Sequence, residues 1–489
     1  MSQHKMIRLM AAIRPQEMAR LAKFFRSPFH NTDPHCIVLF NALRRFHPDM
    51  EDKKLNSEYL FRRVFGDIGF DEKKMRKLRS KTVAILENYL AIVEVNKHSG
   101  KKQTLLAKAL ERRGAYGLFK DVAENRIKQM QHEKIEGKTY FWEISEWYKR
   151  LYVHPETIKV TLKHQYLQNH LHYLERYFTL AYLQEAIECQ IHSRLVDIKY
   201  QTYYTKAVGN IAALPMFMDC PVIYLFHQIF RLYRNISPLP SLYDLKKTFI
   251  NSFDKMEEME QRMAFKSLIN HAIPYSNKGS HNHSRFMFDL YRLGVEKNML
   301  QKDNSTVSPD YFINIAMAGS LVGEFAWTRS FIKKFKSSLP INDQQKAECL
   351  VLANLYYREG ALKKNIDKLK KAISILAKIP LRAEENYVIR LRSLRLRVYF
   401  ELFLLKEETI NEVVEQANKF KKHLSINNTY SANKKAAYLS FIQYYISLAK
   451  LAKGPEINTH SIEKYVKELS ADKKPMLRQW LIEKATGLL

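Results

Sequence analysis

Seventeen histidines offer the chain its first opportunity for chemistry. The stretch NHLHYLE carries His170, His172 and Glu175, and SHNHS carries His281 and His283. Imidazoles and carboxylates are the usual protein ligands of zinc, but a structural site needs four of them. On a helix that turns about 100° per residue, His170 and His172 point about 200° apart and cannot share an ion. His172 and Glu175 share a face, yet two ligands leave a site incomplete. His281 and His283 fall in a segment read as a loop, where they would hold a metal weakly. The expectation is solvated or hydrogen-bonded histidines, with no metal and no cofactor.

Nucleophile chemistry is no better served. Three S-x-x-K matches occur, at Ser252/Lys255, Ser330/Lys333 and Ser470/Lys473. The companion motifs that make such a pair catalytic are missing, and a lysine-rich chain supplies these matches by chance. No G-x-x-x-x-G-K-[ST] or G-x-G-x-x-G loop is present to cradle a phosphate, nor a G-x-S-x-G elbow to expose a serine. The sequence reads as a non-enzyme.

Basic and aromatic residues remain. Eighty Lys and Arg against 50 Asp and Glu leave a net charge of +30, which biases partners toward polyanions or acidic proteins. From Asp71, DEKKMRKLRSKTVAILENYLAIVEV places Lys73, Arg76, Lys77 and Lys81 on one face. With Arg79 and Ser80 beside them, these residues could contact phosphates and base edges. Between Tyr140 and Tyr182 lie Phe141, Trp142, Trp147, Tyr148, Tyr152, Tyr166, Tyr173, Tyr177 and Phe178, interleaved with Lys149, Arg150, Lys159 and Lys163. Such rings could stack the bases of a single strand; at helical spacing they more often form core, which is the reading adopted.

These residues need elements to hold them, and the composition points to helices. Of 489 residues, 14 are Gly and 15 are Pro, each roughly 3% where about 7% and 5% are usual. Few breakers mean long elements and short polar loops. A hydrophobic share of 46% provides a core. The four cysteines, Cys36, Cys189, Cys220 and Cys349, are far apart. They suit reduced thiols rather than a disulfide framework. The N-terminal stretch MSQHKMIRLMAAIRPQEMARL has no apolar run of signal-peptide type, and no window is apolar enough to span a membrane. The expected location is the cytoplasm.

Apolar periodicity fills in the elements. Met75, Leu78, Thr82, Ile85, Leu86, Tyr89 and Val93 form one stripe at 3–4 spacing, and LNSEYLFRRVFG reads as a helix capped near Asn56 or Ser57 and closed at Gly66. From Thr161 to Lys199 there are two stripes, one through Tyr166, Tyr173, Tyr177, Leu180, Ile187, Ile191, Leu195 and Ile198, the other through Leu167, Leu171, Leu174 and Phe178. RLRSLRLRVYFELFLL repeats the two-striped pattern, with Arg390, Arg392, Arg395 and Arg397 on the flanks. A helix with two apolar faces needs cover on both sides, as in a stacked array. Loops are expected at 27–35, 235–241, 274–282, 302–309, 425–433 and 452–461.

Two stretches resemble tetratricopeptide repeats, which are helix pairs with small residues at the crossing, a turn glycine and a closing proline. In LVLANLYYREG, Ala353 takes the small position, Tyr356 the aromatic one and Gly360 the turn. In PDYFINIAMAGSLVGEFAWTRSFIKKFKSSLP, Ala316, Gly323, Phe325 and Pro340 match; after Gly360 the closing Pro380 comes three residues late. The SPFHN box, the LNSEYLFRRVFG helix and GEFAWTRSFI together resemble an uncharacterised bacterial family of long helical proteins with an N-terminal SPF-x-N box. That resemblance implies one unit rather than a fusion, and no site residues. The 55–95 segment also resembles, distantly, the end of a winged-helix module, which some bacterial activators join to a tetratricopeptide-like domain.

The repeat resemblance implies an all-α fold: a right-handed α–α superhelix of helical hairpins. The expected parts are an N-terminal helical domain (1–100), a middle hairpin region (101–305) and tetratricopeptide-like repeats (306–489). In such a stack the first helices line a concave groove. That register puts Asn354, Tyr357 and Arg358 on it, with Met317 and Ser320 one repeat earlier, a set suited to a carboxylate or an acidic protein segment. The functional expectation is a protein-binding scaffold; the alternative is a nucleic-acid-binding regulator using the basic helix near 55–95.

Overall fold

A computed structural model describes residues 4–50, 55–97, 99–155, 157, 159–196, 198–302, 306–379, 385–427, 429–453, 458–472 and 474–489. Pro380, read above as a repeat terminator, lies outside these residues. Among them the protein is all-helical. The exception is a two-residue antiparallel pair, Gln301–Lys302 with Thr306–Val307, within the stretch expected to be a plain loop. No helix is long and apolar enough to cross a membrane. The chain forms two units, one of residues 1–133 and 150–164, the other of 134–149 and 165–489. Residues 101–133 therefore pack with the N-terminal helices, and 306–489 share a unit with 165–305.

The first unit contains α1 (Lys5–Ala12), α2 (Met18–Arg26), α3 (Pro34–Arg44), α4 (Ser57–Phe65), α5 (Glu72–Lys97), α6 (Ser99–Arg112) and α7 (Tyr116–Glu133). Asn56 caps α4 by accepting the Tyr59 amide at 2.8 Å. Gly66 closes the helix at φ 79°, a conformation that a Cβ would strain. Asp71 accepts the Lys74 amide at 3.0 Å and starts α5. The stripe read from spacing is buried from Met75 to Tyr89, with Val93 half-buried at its end. It packs with Leu21, Phe25, Leu39 and Phe40 of α2 and α3 in one core. The SPFHN box is the turn between those two helices: Asn31 donates to the Phe25 carbonyl at 2.8 Å and accepts the Asp33 amide at 2.9 Å. Asp33 in turn caps α3.

The second unit holds most of α8 (Lys138–Val153) and α9 (Val160–Val196), followed by α10 (Thr205–Ala212), α11 (Pro215–Met218), α12 (Pro221–Arg234) and α13 (Leu242–Ser252). Next come α14 (Glu258–Asn277), α15 (His281–Glu296), α16 (Pro309–Leu321), α17 (Phe325–Phe335), α18 (Ile341–Lys363) and α19 (Ile366–Ala377). The chain finishes with α20 (Glu385–Leu404), α21 (Ile410–Ile426), α22 (Ala432–Leu451), α23 (Thr459–Ala471) and α24 (Arg478–Thr486). From α14 onward successive helices pack as neighbours, and α18 touches α16, α17, α19 and α20.

Several local readings change on this framework. The 274–282 loop shrinks to 278–280, because α14 runs through Pro274 to Asn277 and α15 begins at His281. His281 and His283 are therefore helical residues, not loop ones. On α9, Leu180, Ile187 and Ile191 are buried, but Leu171 and Phe178 of the second stripe are 43% and 45% exposed, so that face is only partly covered. On α20 both faces are covered: Leu394, Leu396, Val398, Phe400 and Leu402 are all buried.

The two repeat glycines differ. Gly323 sits between α16 and α17 at φ 81°, where the chain reverses. Gly360 is no turn residue: α18 continues to Lys363, and the reversal comes at Lys364 (φ 49°) with Asn365 capping α19. What position 360 requires is close approach, since a Cβ there would lie 2.9 Å from Leu369 Cγ and 3.2 Å from the Asn365 carbonyl oxygen. Overpacking typically costs 1–3 kcal/mol, and alanine returns up to about 1 kcal/mol of helix propensity. Gly360→Ala is thus expected to lose about 1 kcal/mol, read from the urea midpoint; a gain would mean that Leu369 moves aside freely.

At the start of α8 two carboxylates close the helix from across the unit. Glu260 accepts the Lys138 amide at 3.0 Å, and Glu257 accepts the amides of Thr139 and Tyr140 at 3.2 and 2.8 Å. Burial, then the neighbouring Glu260, raises Glu257 to about 7. Gly137 makes room for both, since a Cβ there would meet each carboxylate at 2.6 Å.

Candidate functional site

Three of the residues singled out at 317–358, Met317, Asn354 and Arg358, meet at a cavity of about 380 Å³ in the second unit. Its apolar wall comes from Ile273 of α14, Met287 and Tyr291 of α15, and Met317, Ala318 and Leu321 of α16. Asn354 and Arg358 reach it from α18, Arg397 from α20, and Asn277 and Asn314 line it as well. A hollow of this size, lined about equally by apolar and polar side chains, has room for a small ligand or one side chain of a partner.

Three details give the cavity its chemical character. Asn354 is only 3% exposed, yet its carboxamide makes no hydrogen bond among the described residues. The residue as a whole is buried, but its amide opens on the cavity. Arg358 and Arg397 lie on the same cavity, and no carboxylate is among its lining residues. Burial, with a smaller push from Arg358, lowers Arg397 to about 10, so it stays cationic at neutral pH. Two guanidiniums line one hollow that has no carboxylate of its own, and the acid acting on Arg397 is Glu401, outside the lining; such an arrangement suits an anion on an apolar stem.

Tyr357 and Ser320, expected on the groove, are not on it. Tyr357 is 1% exposed and accepts a 2.8 Å hydrogen bond from the Trp480 indole. Arg397 lies over its ring at 5.3 Å. Ser320 is buried and donates back to the Ala316 carbonyl at 2.8 Å. Successive residues on a helix diverge by about 100°, so Arg358 can look into the cavity while Tyr357 looks into the core. Spacing puts Arg397 on the flank of its helix; only the contact between α18 and α20 brings it to Arg358.

The basic helix keeps part of its expected face. Lys73, Arg76 and Lys77 are exposed, with no carboxylate paired to them among the described residues. Arg79 and Lys81 are committed elsewhere: Arg79 bonds Glu72 and reaches the Ser57 hydroxyl at 3.3 Å, and Lys81 binds Asp33 at 2.8 Å. No strand that could serve as a wing occurs among the described residues of this unit.

Comparison with family models, curated proteins and solved structures finds no match.

The other candidate groups form structural contacts. His170 is buried, and its Nδ1 lies 2.9 Å from the Ser145 hydroxyl. His172 is half-buried, and burial, then Arg176, lowers its pKa. No cluster of three metal-capable side chains exists among the described residues. In the aromatic zone Phe141, Trp147 and Tyr148 are buried, while Trp142 and Phe178 are exposed. All four cysteines are free thiols.

Proposed function

We propose that the chain is a non-enzymatic helical-repeat scaffold, a right-handed superhelix of α-hairpins in its C-terminal part, that binds another protein in the cytoplasm. The unpartnered Asn354 carboxamide, set beside Arg358 and Arg397 in a hollow lined by no carboxylate, supports this reading most directly. An acidic side chain of the partner enters with its methylene stem against Met317 and Leu321. Its carboxylate takes charge-assisted hydrogen bonds from the arginines, and Asn354 fixes its orientation. Each such bond is worth about 1.5–3 kcal/mol.

A fluorescein-labelled glutamate-rich peptide, followed by anisotropy, provides the test. Arg358→Glu should weaken binding by at least about tenfold, since one charge-assisted bond exceeds the 1.4 kcal/mol that tenfold requires. The variant's helical circular dichroism should stay unchanged. Equal affinity for the two proteins would remove the cavity from consideration. The exposed trio Lys73, Arg76 and Lys77 favours a second reading, polyanion binding along α5. Three phosphate contacts would give a salt slope of about −3 on duplex DNA, and neutralising the trio would flatten it.

A further inference from the structure

We infer that the hollow between α20 and the C-terminal half of α21 is a binding site for a small phosphomonoester, separate from the Asn354 cavity. Arg392 of α20, Lys419, Lys422 and His423 of α21, and Asn427 and Thr429 of the following turn line a volume of about 470 Å³. No carboxylate is among the lining residues. Three permanent cations from two helices therefore face one opening, with an imidazole beside them.

The ordinary explanation for lysines and a histidine near a helix C-terminus is the helix dipole, whose negative end they offset. That explanation covers His423, the basic residue of the last turn of α21. It does not cover Arg392, which belongs to a different helix and approaches from the side. The Arg392 Nε is buried and has no hydrogen-bond partner. Burial, then the nearby Arg395, weakens the hold of that guanidinium on its proton. The guanidinium thus sits near a like charge with no acid paired to it among the described residues, and the open space it lines is the hollow.

The charge balance selects the class of ligand. Lys419 is already paired with Glu415 at 2.6 Å on its exposed side. Lys422 has no acidic partner among the described residues, and neither has Arg392. Two uncommitted cations plus a shared third suit a dianion better than a single carboxylate. A phosphomonoester carries about −1.5 to −2 at neutral pH and three acceptor oxygens. Arg392 then donates from its terminal nitrogens, and Lys422 supplies a point charge. The hollow is wider than one phosphate group, and Ile426 on its rim offers apolar contact to the esterified part.

The test uses the full-length protein and phosphorus NMR of glycerol 2-phosphate at fixed ionic strength. Saturable line broadening is expected. Arg392→Gln and Lys422→Gln should each weaken it by about tenfold, the loss of one charge-assisted bond. Arg390→Gln, an exposed arginine outside the hollow, should leave the titration unchanged, as should Arg358→Glu. The last variant separates this site from the proposed protein-binding cavity: either can fail alone. Lys422 is exposed, so its variant stays folded and informative even if Arg392→Gln does not. The inference is overturned by no saturation at about 10 mM ligand, beyond the millimolar range of a weak specific site. It is equally overturned if Arg390→Gln weakens broadening as much as Lys422→Gln. It is also overturned if a single-stranded oligonucleotide displaces no broadened ester yet binds in a Lys422-dependent way, which would make the patch a polyanion track.

Discussion

Truncating Trp480 to alanine is expected to remove about 3–5 kcal/mol from the stability of the second unit, the usual range for a buried tryptophan. The ring is 6% exposed. It meets Phe400 edge-on at 5.5 Å and lies nearly parallel to Tyr445 at 6.2 Å. Phe441 packs on it as well. Its indole nitrogen donates to the Tyr357 hydroxyl at 2.8 Å. Alanine would leave a cavity at the junction of α18, α20, α22 and α24, and an unmet acceptor on Tyr357. Trp480→Phe keeps most of the packing and loses only the hydrogen bond, so about 1–2 kcal/mol should go. Urea unfolding followed by far-ultraviolet circular dichroism separates the two variants. Equal losses would mean that the bond, not the packing, carries the residue. Tyr357 also adjoins Arg358 and lies under Arg397. The alanine variant should therefore weaken acidic-peptide binding too, by loosening the helix that carries Asn354.

The second large effect concerns Glu359, which α18 turns away from the cavity and into a ring of cations. Arg329 of α17 and Lys368 of α19 bind its carboxylate directly, and Lys363 lies 3.5 Å away. The side chain is 8% exposed. Burial opposes ionisation, but the bonds from Lys368 and Arg329 outweigh it and hold the acid at about 2, against an ordinary 4.5. A carboxyl depressed on folding adds stability in full above its unfolded pKa. That stability is lost as pH falls through the folded value. The window is therefore about pH 4.5 down to 2, and the contribution is about 3 kcal/mol at 1.36 kcal/mol per pH unit. Glu359→Gln should remove it at neutral pH and leave a shallower loss between pH 4.5 and 2. Parallel acid-unfolding curves for the two proteins would show that the three cations find other partners.

The residues most exposed to misreading are those whose neighbours lie far off in the chain. Tyr357 and Trp480 are 123 positions apart. Nothing in the local pattern around Tyr357 says that an indole will claim its hydroxyl, so helical register alone placed it on the groove. Gly360 shows the same effect in reverse. Its spacing suggested a turn, whereas its function is to let Leu369 of the next helix come within contact distance. Arg79 and Lys81 look like free cations on a helical wheel, and Glu72 and Asp33 take them out of play.

What the sequence determined by itself is what local physics controls. The 3–4 periodicity of α5 gives its buried stripe, because an apolar face must be hidden whatever covers it. Asn56, Asp71 and Gly66 set helix ends, because backbone groups left over at those ends need a side chain or a left-handed residue. Gly323 marks a reversal for the same reason. The scarcity of glycine and proline left few breakers, in keeping with the helices that make up nearly all the described residues. The tertiary structure alone decided which arginines share a hollow, which carboxylates are ringed by cations, and which aromatic hydroxyls are spent in the core. Those outcomes depend on which helices become neighbours. Neighbour choice is a sum of many weak packing terms spread over hundreds of residues, whereas a cap or a stripe is settled within a few turns of one helix.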